Sequence, residues 1–276
     1  MTVRKLLVII AVLIISLVGS IPDKSLAVSH EEKIESGEVV AHGPMSLVDK
    51  LNIIKGLSYD KDAVAIEQLL DLNDAMFITL RDGDYGEIIA INTSYSYDFE
   101  KGKEDAYSNP ISTYQMPESD YKLTVLVTRI EGKGPQYDNF TFLAQGVWKI
   151  NPFFEFTDKI ALSWSNDFIL FNDFSTHYIE KNGKITSSPG VKAEANTKSG
   201  VAHKINLVLN ATDRNTVLVA QVYKTNSSGT ANVVAGYAHA EGVPIVPKVS
   251  FGKGRYITFS GTTLSEAKPA SASFSY

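Results

Sequence analysis

The chain has 276 residues, no cysteine, a hydrophobic fraction of 44%, a charged fraction of 21% and a formal net charge of −5 at pH 7. Because this apolar content is enough for a folded core, the composition argues against general disorder, and the lack of cysteine excludes disulfide frameworks, thiolate metal sites and cysteine nucleophiles. The acidic balance argues against general nucleic-acid binding, which needs a basic surface.

Residues 1–27 have the three-part pattern of a secretory signal peptide. Arg4 and Lys5 precede a stretch of 13 residues, Leu6 to Val18, that is apolar except for Ser16, and Ala27 ends a site with small residues. The run is too short to cross a membrane, which takes about 20 apolar residues. We therefore predict cleavage after Ala27 and a secreted protein with no membrane span in its remaining 249 residues.

The predicted mature chain is more acidic than the whole chain. The removed segment holds three basic residues and one acidic residue, which leaves a net charge of −7. Export without any cysteine favours a bacterial protein, because many eukaryotic extracellular domains depend on disulfides.

Residues 28–75 are interpreted as a leader followed by a short helical segment. Ser46 and Asp49 stand where a capping box begins a helix, and Gly56 is a suitable end. A second helix is predicted from Asp60 to Leu72 on its apolar spacing.

Residues 76–187 are predicted to form a β-rich domain with many aromatic residues. Met76–Leu80 and Glu87–Ile91 are predicted as strands that flank a hairpin turn at Asp82-Gly83, and a second hairpin is predicted at Asn182-Gly183. Between them, three more strands are predicted: Tyr121–Ile130, Phe140–Ile150 and Lys159–Ser165.

Residues 188–276 are poorer in aromatic residues and richer in Ser, Thr, Ala and Val, and they are interpreted as a second sheet or a second domain. Six strands are predicted there: Ala202–Asn210, Thr216–Lys224, Ala231–His239, Val246–Phe251, Arg255–Ser260 and Ala270–Tyr276. The predicted fold is mainly β, with one large or two closely packed antiparallel β-sandwich domains preceded by two short N-terminal helices.

No motif selects a catalytic residue. None of the five histidines lies three or four residues from another, and no Gly-x-Ser-x-Gly motif occurs. Residues of the types that form a nucleophilic triad lie close together in the sequence: Ser163, Ser165, Asp167, Asp173 and His177. The two serines alternate with apolar residues, however, and this pattern is typical of a half-buried strand. We therefore predict no catalytic residue and no cofactor, and the enzyme question stays open.

Carboxylate pairs of the kind that glycosidases use are too numerous for the sequence to select one. They are Asp98 with Glu100, Glu155 with Asp158, and Asp167 with Asp173. A weak candidate for a calcium site is formed by Asp82, Asp84 and Glu87. These residues do not match the twelve-residue calcium-loop pattern, and a hairpin turn is a simpler explanation for them.

Aromatic residues supply the candidate binding surface. Tyr95, Tyr97 and Phe99 alternate with polar residues, so in a strand the three rings share one face that either binds a ligand or belongs to the core. Trp148 and Trp164 are predicted to anchor the core. A dense aromatic group is predicted around them: Phe153, Phe154, Phe156, Phe168, Phe171, Phe174 and Tyr178.

These features favour an exported, non-enzymatic bacterial β-sandwich protein that binds an extracellular polymer or protein partner. Two alternatives remain: a secreted antimicrobial or membrane-active effector, and a secreted hydrolase whose site is assembled only in three dimensions.

Overall fold

The structure is a computed structural model of the chain. The residues it describes are 45–94, 114–116, 119–132, 138–152, 154–165, 167–182, 184–208, 211, 213–241, 246–252, 256–261 and 264–276. The predicted signal peptide with Ala27, and the aromatic residues Tyr95, Tyr97 and Phe99, lie outside the described residues.

Three helices occur in the described part of the chain: α1, Leu47–Gly56; α2, Ile66–Leu70; and α3, Asp74–Asp82. The capping box predicted for α1 is confirmed, because the Asp49 amide donates to Ser46 Oγ and the Ser46 amide donates to the Asp49 carboxylate. Helix α2 is shorter than predicted. The predicted helix began at Asp60, but the amide of Asp60 donates to the carbonyl of Ile88 in the sheet and so lies outside the helix.

The strand predicted at Met76–Leu80 is wrong, because these residues belong to α3 and no hairpin turns at Asp82-Gly83. Asn73 caps this helix by accepting a hydrogen bond from the Ala75 amide. The apolar side of α3 packs on the outer face of a sheet. This packing decides for a helix, although the short apolar run in the sequence also fits a strand.

Sheet 1 has seven strands in the order β1-β2-β4-β5-β11-β7-β8, with antiparallel neighbours except for the parallel pair β1 and β2. Its strands are β1, Ser58–Tyr59; β2, Glu87–Thr93; β4, Tyr121–Ile130; β5, Asn139–Trp148; β7, Phe168–Lys181; β8, Lys184–Pro189; and β11, Asp213–Lys224. Lys181 pairs with Lys184, and Asn182 has a φ of 55°, so the chain turns between β7 and β8 where the second hairpin was predicted.

Sheet 2 also has seven strands, in the order β3-β15-β12-β6-β10-β9, with β16 paired to β12. Its strands are β3, Tyr114–Gln115; β6, Thr157–Trp164; β9, Val191–Asn196; β10, Gly200–Asn206; β12, Thr230–Ala240; β15, Leu264–Glu266; and β16, Ala270–Ser275. Strands β13, Lys248–Phe251, and β14, Ile257–Ser260, pair only with each other and form a separate hairpin in the part of the chain that is described.

The two sheets pack face to face around one apolar core. Trp148 and Trp164, the predicted anchors, lie in it and are 9% and 0% exposed. Phe171 departs from the prediction, because it sits at a bulge of β7 and is 53% exposed. The fold is therefore a mainly β sandwich, as predicted.

Two smaller apolar clusters add outer layers to the sandwich. The helices pack on the outer face of sheet 1, and the β13–β14 hairpin packs on the outer face of sheet 2. Both sheets combine strands from residues 76–187 and 188–276, since β11 lies between β5 and β7, and β6 lies between β10 and β12.

A search of the described residues finds no helix with the length and apolar character needed to span a bilayer.

Candidate functional site

An open groove with a volume of about 1040 Å³ lies where the helices meet one end of sheet 1. Its walls come from the C-terminal half of α1, the start of β1, the end of α3, the connection 83–87 and the end of β4. This volume is at the upper end of the range of roughly 300–1,000 Å³ that is usual for ligand sites. The groove can therefore hold a ligand of several chemical units.

Two glycines allow the chain to turn tightly beside the groove. A Cβ at Gly83 would lie 2.1 Å from the Tyr85 ring, so only glycine lets the backbone lie against that ring. Gly86 has a φ of +71°, and a Cβ there would lie 2.2 Å from the Arg129 carbonyl oxygen. The connection from α3 to β2 is thereby held close to the end of β4.

Tyr85 lines this groove with a hydroxyl that lacks a partner. The residue is only 5% exposed, and its Oη forms no hydrogen bond with any described residue. Burial raises the pKa of Tyr85, so the phenol is neutral and can donate and accept. A buried hydroxyl without a partner is uncommon in native proteins.

Arg129 lines the same groove and is only partly paired. Its Nη2 donates to Glu87 Oε2 at 2.7 Å and lies 3.4 Å from Glu131 Oε1. Its buried Nε has no hydrogen-bond acceptor in the described part of the chain. Arg129 thus lies beside two carboxylates and has one buried N–H without an acceptor in the described part of the chain.

The three residues of the calcium candidate are close in sequence but belong to different structures. Asp82 ends α3 and forms an ion pair with Arg81 at 2.8 Å, whereas Glu87 begins β2 and pairs with Arg129. Asp84 lines the groove between them. Across the described ranges, no group of three or more His, Asp or Glu side chains is arranged to hold a metal. Calcium binding here stays a prediction, and the hairpin turn that was its competing explanation does not form.

A serine, a histidine and an aspartate are connected by hydrogen bonds elsewhere in the molecule, between the two sheets. Ser175 Oγ lies 2.8 Å from His203 Nδ1, and His203 Nε2 lies 2.8 Å from Asp173 Oδ1. Lys192 forms an ion pair with the second oxygen of Asp173. These residue types are those of a nucleophilic triad, although the sequence pattern pointed to other serines and to His177.

This triad-like chain is closed to a substrate. Ser175 is 1% exposed, and a Cβ added to Gly190 would lie only 2.0 Å from Ser175 Oγ, so the backbone covers the hydroxyl. Ser175 belongs to β7 of sheet 1 and His203 to β10 of sheet 2. The chain of hydrogen bonds therefore acts as a polar clamp between the sheets.

The other predicted triad residues have different partners. His177 Nδ1 lies 2.8 Å from Thr216 Oγ1, and Ser163 Oγ donates to the Ser199 carbonyl. Asp167 accepts a hydrogen bond from the Asn226 amide. The structure brings none of these residues to the groove.

Asp158 lies at the centre of a second buried polar cluster. Its carboxylate is bound by the Tyr237 hydroxyl, by His239 Nδ1 at 2.9 Å and by the Ala240 amide, and Trp148 Nε1 donates to Tyr237 Oη at 3.0 Å. Burial raises the pKa of Asp158 despite these hydrogen bonds.

Glu155, the predicted partner of Asp158 in a carboxylate pair, instead binds Arg214. Neither of these two acids lines the groove.

Sequence comparisons assign no relative to this chain. No protein-family model matches it, and no curated protein matches it.

Solved structures overlap with it only in part. The C-terminal domain of the AgI/II polypeptide BspA of Streptococcus agalactiae matches 55% of this chain and 57% of its own length, with 7% identity and a TM-score of 0.33. The NetB toxin of Clostridium perfringens, in its membrane-inserted form, matches 56% of this chain and 89% of its own, with 9% identity and a TM-score of 0.27. The collagen-binding domain of a Staphylococcus aureus adhesin matches 57% and 94%, with 10% identity and a TM-score of 0.22.

Proposed function

We propose that this chain is an exported, non-enzymatic bacterial β-sandwich protein that binds an extracellular polymer or protein partner, and that the groove is its binding site. One observation carries the proposal. The groove is lined by Tyr85 and Arg129, and each of these residues has one buried side-chain polar atom without a partner among the described residues. Because native proteins leave few buried polar groups unsatisfied, two such residues beside one large groove favour this groove as the binding site.

The burial of the triad-like residues supports binding rather than catalysis. Ser175 and His203 lie within hydrogen-bond reach, but both are almost fully buried and lie outside the groove. Among the described residues that line the groove, none is a histidine that could act as a general base near neutral pH. Its arginines, carboxylates and tyrosine can hold a ligand by hydrogen bonds.

The exported part of the proposal rests on the signal-peptide pattern of residues 1–27. Expression of all 276 residues in a bacterial host, followed by N-terminal sequencing of protein from the medium, tests it. We expect a new N-terminus at Val28. Protein that stays with the cells and keeps Met1 would contradict export.

Binding through the groove can be tested by filling it with a side chain. Gly56 lines the groove, and a Cβ at this position would have no atom within 4 Å, so Gly56→Trp starts from open space and adds an indole at the groove wall. Val48→Trp is the matched control, because Val48 is on the same helix, is 65% exposed and does not line the groove. The probes are immobilised peptidoglycan, neutral and acidic polysaccharides, and a panel of extracellular proteins.

We expect saturable binding of the unmodified protein to at least one probe. Gly56→Trp should weaken this binding at least tenfold, a loss of about 1.4 kcal/mol, while Val48→Trp leaves it unchanged. Binding that is equal in all three proteins would show that the groove is not the site. No binding to any probe class would overturn the proposed function.

The membrane-active alternative is favoured by a different observation, the β13–β14 hairpin. One side of this hairpin is apolar and packs on sheet 2; it consists of Val249, Phe251, Ile257 and Phe259. The other side is polar and consists of Lys248, Ser250, Thr258 and Ser260. Membrane-inserting hairpins have the same alternation of apolar and polar residues. Dye release from liposomes tests this alternative, and no release at micromolar protein would remove it.

A further inference from the structure

A row of uncharged side chains starts at the groove and crosses four strands of sheet 1. Ile130 of β4 lines the groove and pairs with Asn139 of β5. Asn139 also pairs with Tyr223 of β11, which pairs in turn with Ile169 of β7. We call these four residues the outer row. Because neighbouring strands lie about 4.8 Å apart, the outer row is roughly 14 Å long.

The alternation of each strand places the outer row on the helix side of sheet 1 and not in the core between the sheets. On β4, β5 and β11, residues at even spacing from the row pack with the helices; they are Leu126, Leu143 and Val219. On β7 the two sequence neighbours of Ile169 belong to the core between the sheets, so Ile169 itself faces outwards. All four members of the row are half-buried.

A bulge of β7 adds an exposed aromatic ring to the end of this row. Leu170 and Asn172 pair with consecutive residues of β11, so Phe171 between them is an extra residue. Bulges re-aim a side chain, and Phe171 is 53% exposed. Its ring stacks with that of Tyr223, with 6.3 Å between the ring centroids. Two aromatic rings are thus held together on the outer face of the sheet.

A pair of amide side chains lies beside Phe171 on the same face. Asn172 Nδ2 donates to Gln221 Oε1 at 2.9 Å, which leaves Asn172 Oδ1 as an acceptor and Gln221 Nε2 as a donor. Unlike Tyr85 Oη and Arg129 Nε, neither of these two atoms belongs to the buried, unpartnered atoms of the described chain. A donor and an acceptor therefore lie on the surface beside the exposed ring.

The charge of this surface favours an uncharged ligand. No side chain of the outer row, of the ring pair or of the amide pair is charged, although the chain carries a net charge of −5. Asp138 and Lys224, which flank Asn139 and Tyr223 in the sequence, form an ion pair with each other at 3.3 Å. A charged polymer would meet no free opposite charge along the row, so it gains nothing to offset the loss of its hydration.

The rings and the amides together indicate the chemistry of that ligand. An apolar protein surface would cover the rings but would leave the amide donor and acceptor without partners. A sugar satisfies both, because its C–H groups pack on the negative face of an aromatic ring and its hydroxyls donate and accept. The row is also longer than one sugar ring, which favours a chain of sugars.

Resting on the proposed function, we infer that the outer row, Phe171 and the amide pair extend the groove into a binding surface for an uncharged polysaccharide. Sugar rings stack on Phe171, and their hydroxyls form hydrogen bonds with Asn172 and Gln221. The polysaccharide chain then passes over Tyr223 towards Ile130, where the row meets the groove.

The test measures binding isotherms on insoluble cellulose, chitin and starch, which are uncharged. Phe171→Ala removes the exposed ring and should weaken binding about tenfold or more, whereas Phe171→Tyr keeps a ring and should bind as the unmodified protein does. Ile150→Ala is the matched control, since Ile150 is also 53% exposed but lies outside the row. This control should leave binding unchanged.

Two further measurements separate a binding role of Phe171 from a structural one. Because the ring is exposed, Phe171→Ala should leave the midpoint of urea unfolding nearly unchanged. Soluble hexamers of the bound sugar should displace the protein from the polysaccharide at concentrations about tenfold or more below those of the monosaccharide, because only a chain contacts the whole row.

Three outcomes would overturn the inference. If an acidic polysaccharide or a protein binds and no uncharged polysaccharide does, the proposed function stands and the ligand inferred for the row is wrong. If Phe171→Ala binds an uncharged polysaccharide as tightly as the unmodified protein, the row does not contact it. If no probe of any class binds, the proposed function fails together with the inference.

Discussion

His177 should make the stability of this protein depend on pH between about pH 4 and pH 6.5. Its ring is 1% exposed between the sheets, with Nδ1 against Thr216 and no partner for Nε2 in the described chain. Burial, together with the nearby positive charge of Arg214, lowers the pKa of His177 to about 4. The folded protein therefore keeps this imidazole neutral at pH values where the unfolded chain protonates it.

The sign and size of the effect follow from proton linkage. Between the two pKa values the unfolded state binds more protons, so the stability contribution is complete above about pH 6.5 and is lost as the pH falls toward about 4. From the lowered pKa of about 4, we expect this histidine to cost about 2 kcal/mol between pH 7 and pH 5, and about 3 kcal/mol when the loss is complete.

His177→Asn isolates this contribution, because the amide of asparagine can replace Nδ1 against Thr216 but does not titrate. The measurement is urea unfolding at pH 7, 6 and 5, followed by the fluorescence of Trp148 and Trp164, both of which are buried. The free energy of unfolding of the unmodified protein minus that of the variant should fall by about 2 kcal/mol from pH 7 to pH 5. A difference that stays the same at all three pH values would refute the reasoning.

Two further predictions concern the contacts on either side of sheet 2. Burial raises the pKa of Asp173, but hydrogen bonds from His203 and Lys192 outweigh it and lower the net pKa, so this carboxylate stabilises the fold above about pH 4 and loses that effect in acid. Asp173→Asn should cost about 2 kcal/mol at pH 7 in urea unfolding and less at pH 3.5, and an equal cost at both would contradict the clamp. A Cβ at Gly200 would lie 2.3 Å from the Phe251 ring, so Gly200→Ala should displace the β13–β14 hairpin at a cost of about 1–3 kcal/mol. Hydrogen exchange of residues 248–251 and 257–260 should then speed up, and unchanged exchange there would count against this packing.

The strands of this protein were largely predictable because they are short stretches rich in β-branched and aromatic residues, with turn signals between them. Tyr121–Ile130 was predicted with its observed bounds, and the turn at Asn182 was predicted from its sequence. The helix at Asp74–Asp82 was not, since a short apolar run fits either periodicity and only packing against sheet 1 decides between them. Phe171 was placed in the core because a strand pattern does not reveal a bulge.

The candidate site was not predictable, because its residues are neighbours only after folding. Tyr85 and Arg129 belong to a connection and to the end of a strand, and the groove also needs helix α1. The sequence feature that could have pointed to the site is the pair of glycines around Tyr85. Glycines at this spacing indicate a tight turn, but they do not show which residues pack against the turn.

The sequence by itself determined the β class, the positions of most strands and the two tryptophan anchors, because alternation and residue size are local properties. Only the tertiary structure decided which polar groups meet. His203 forms hydrogen bonds with Ser175 and Asp173, which lie 28 and 30 positions away in the sequence. Strand β11 lies between β5 and β7, two strands that precede it in the chain. Strand order is set by how two sheets bury their apolar faces together, and no single stretch of sequence carries that information.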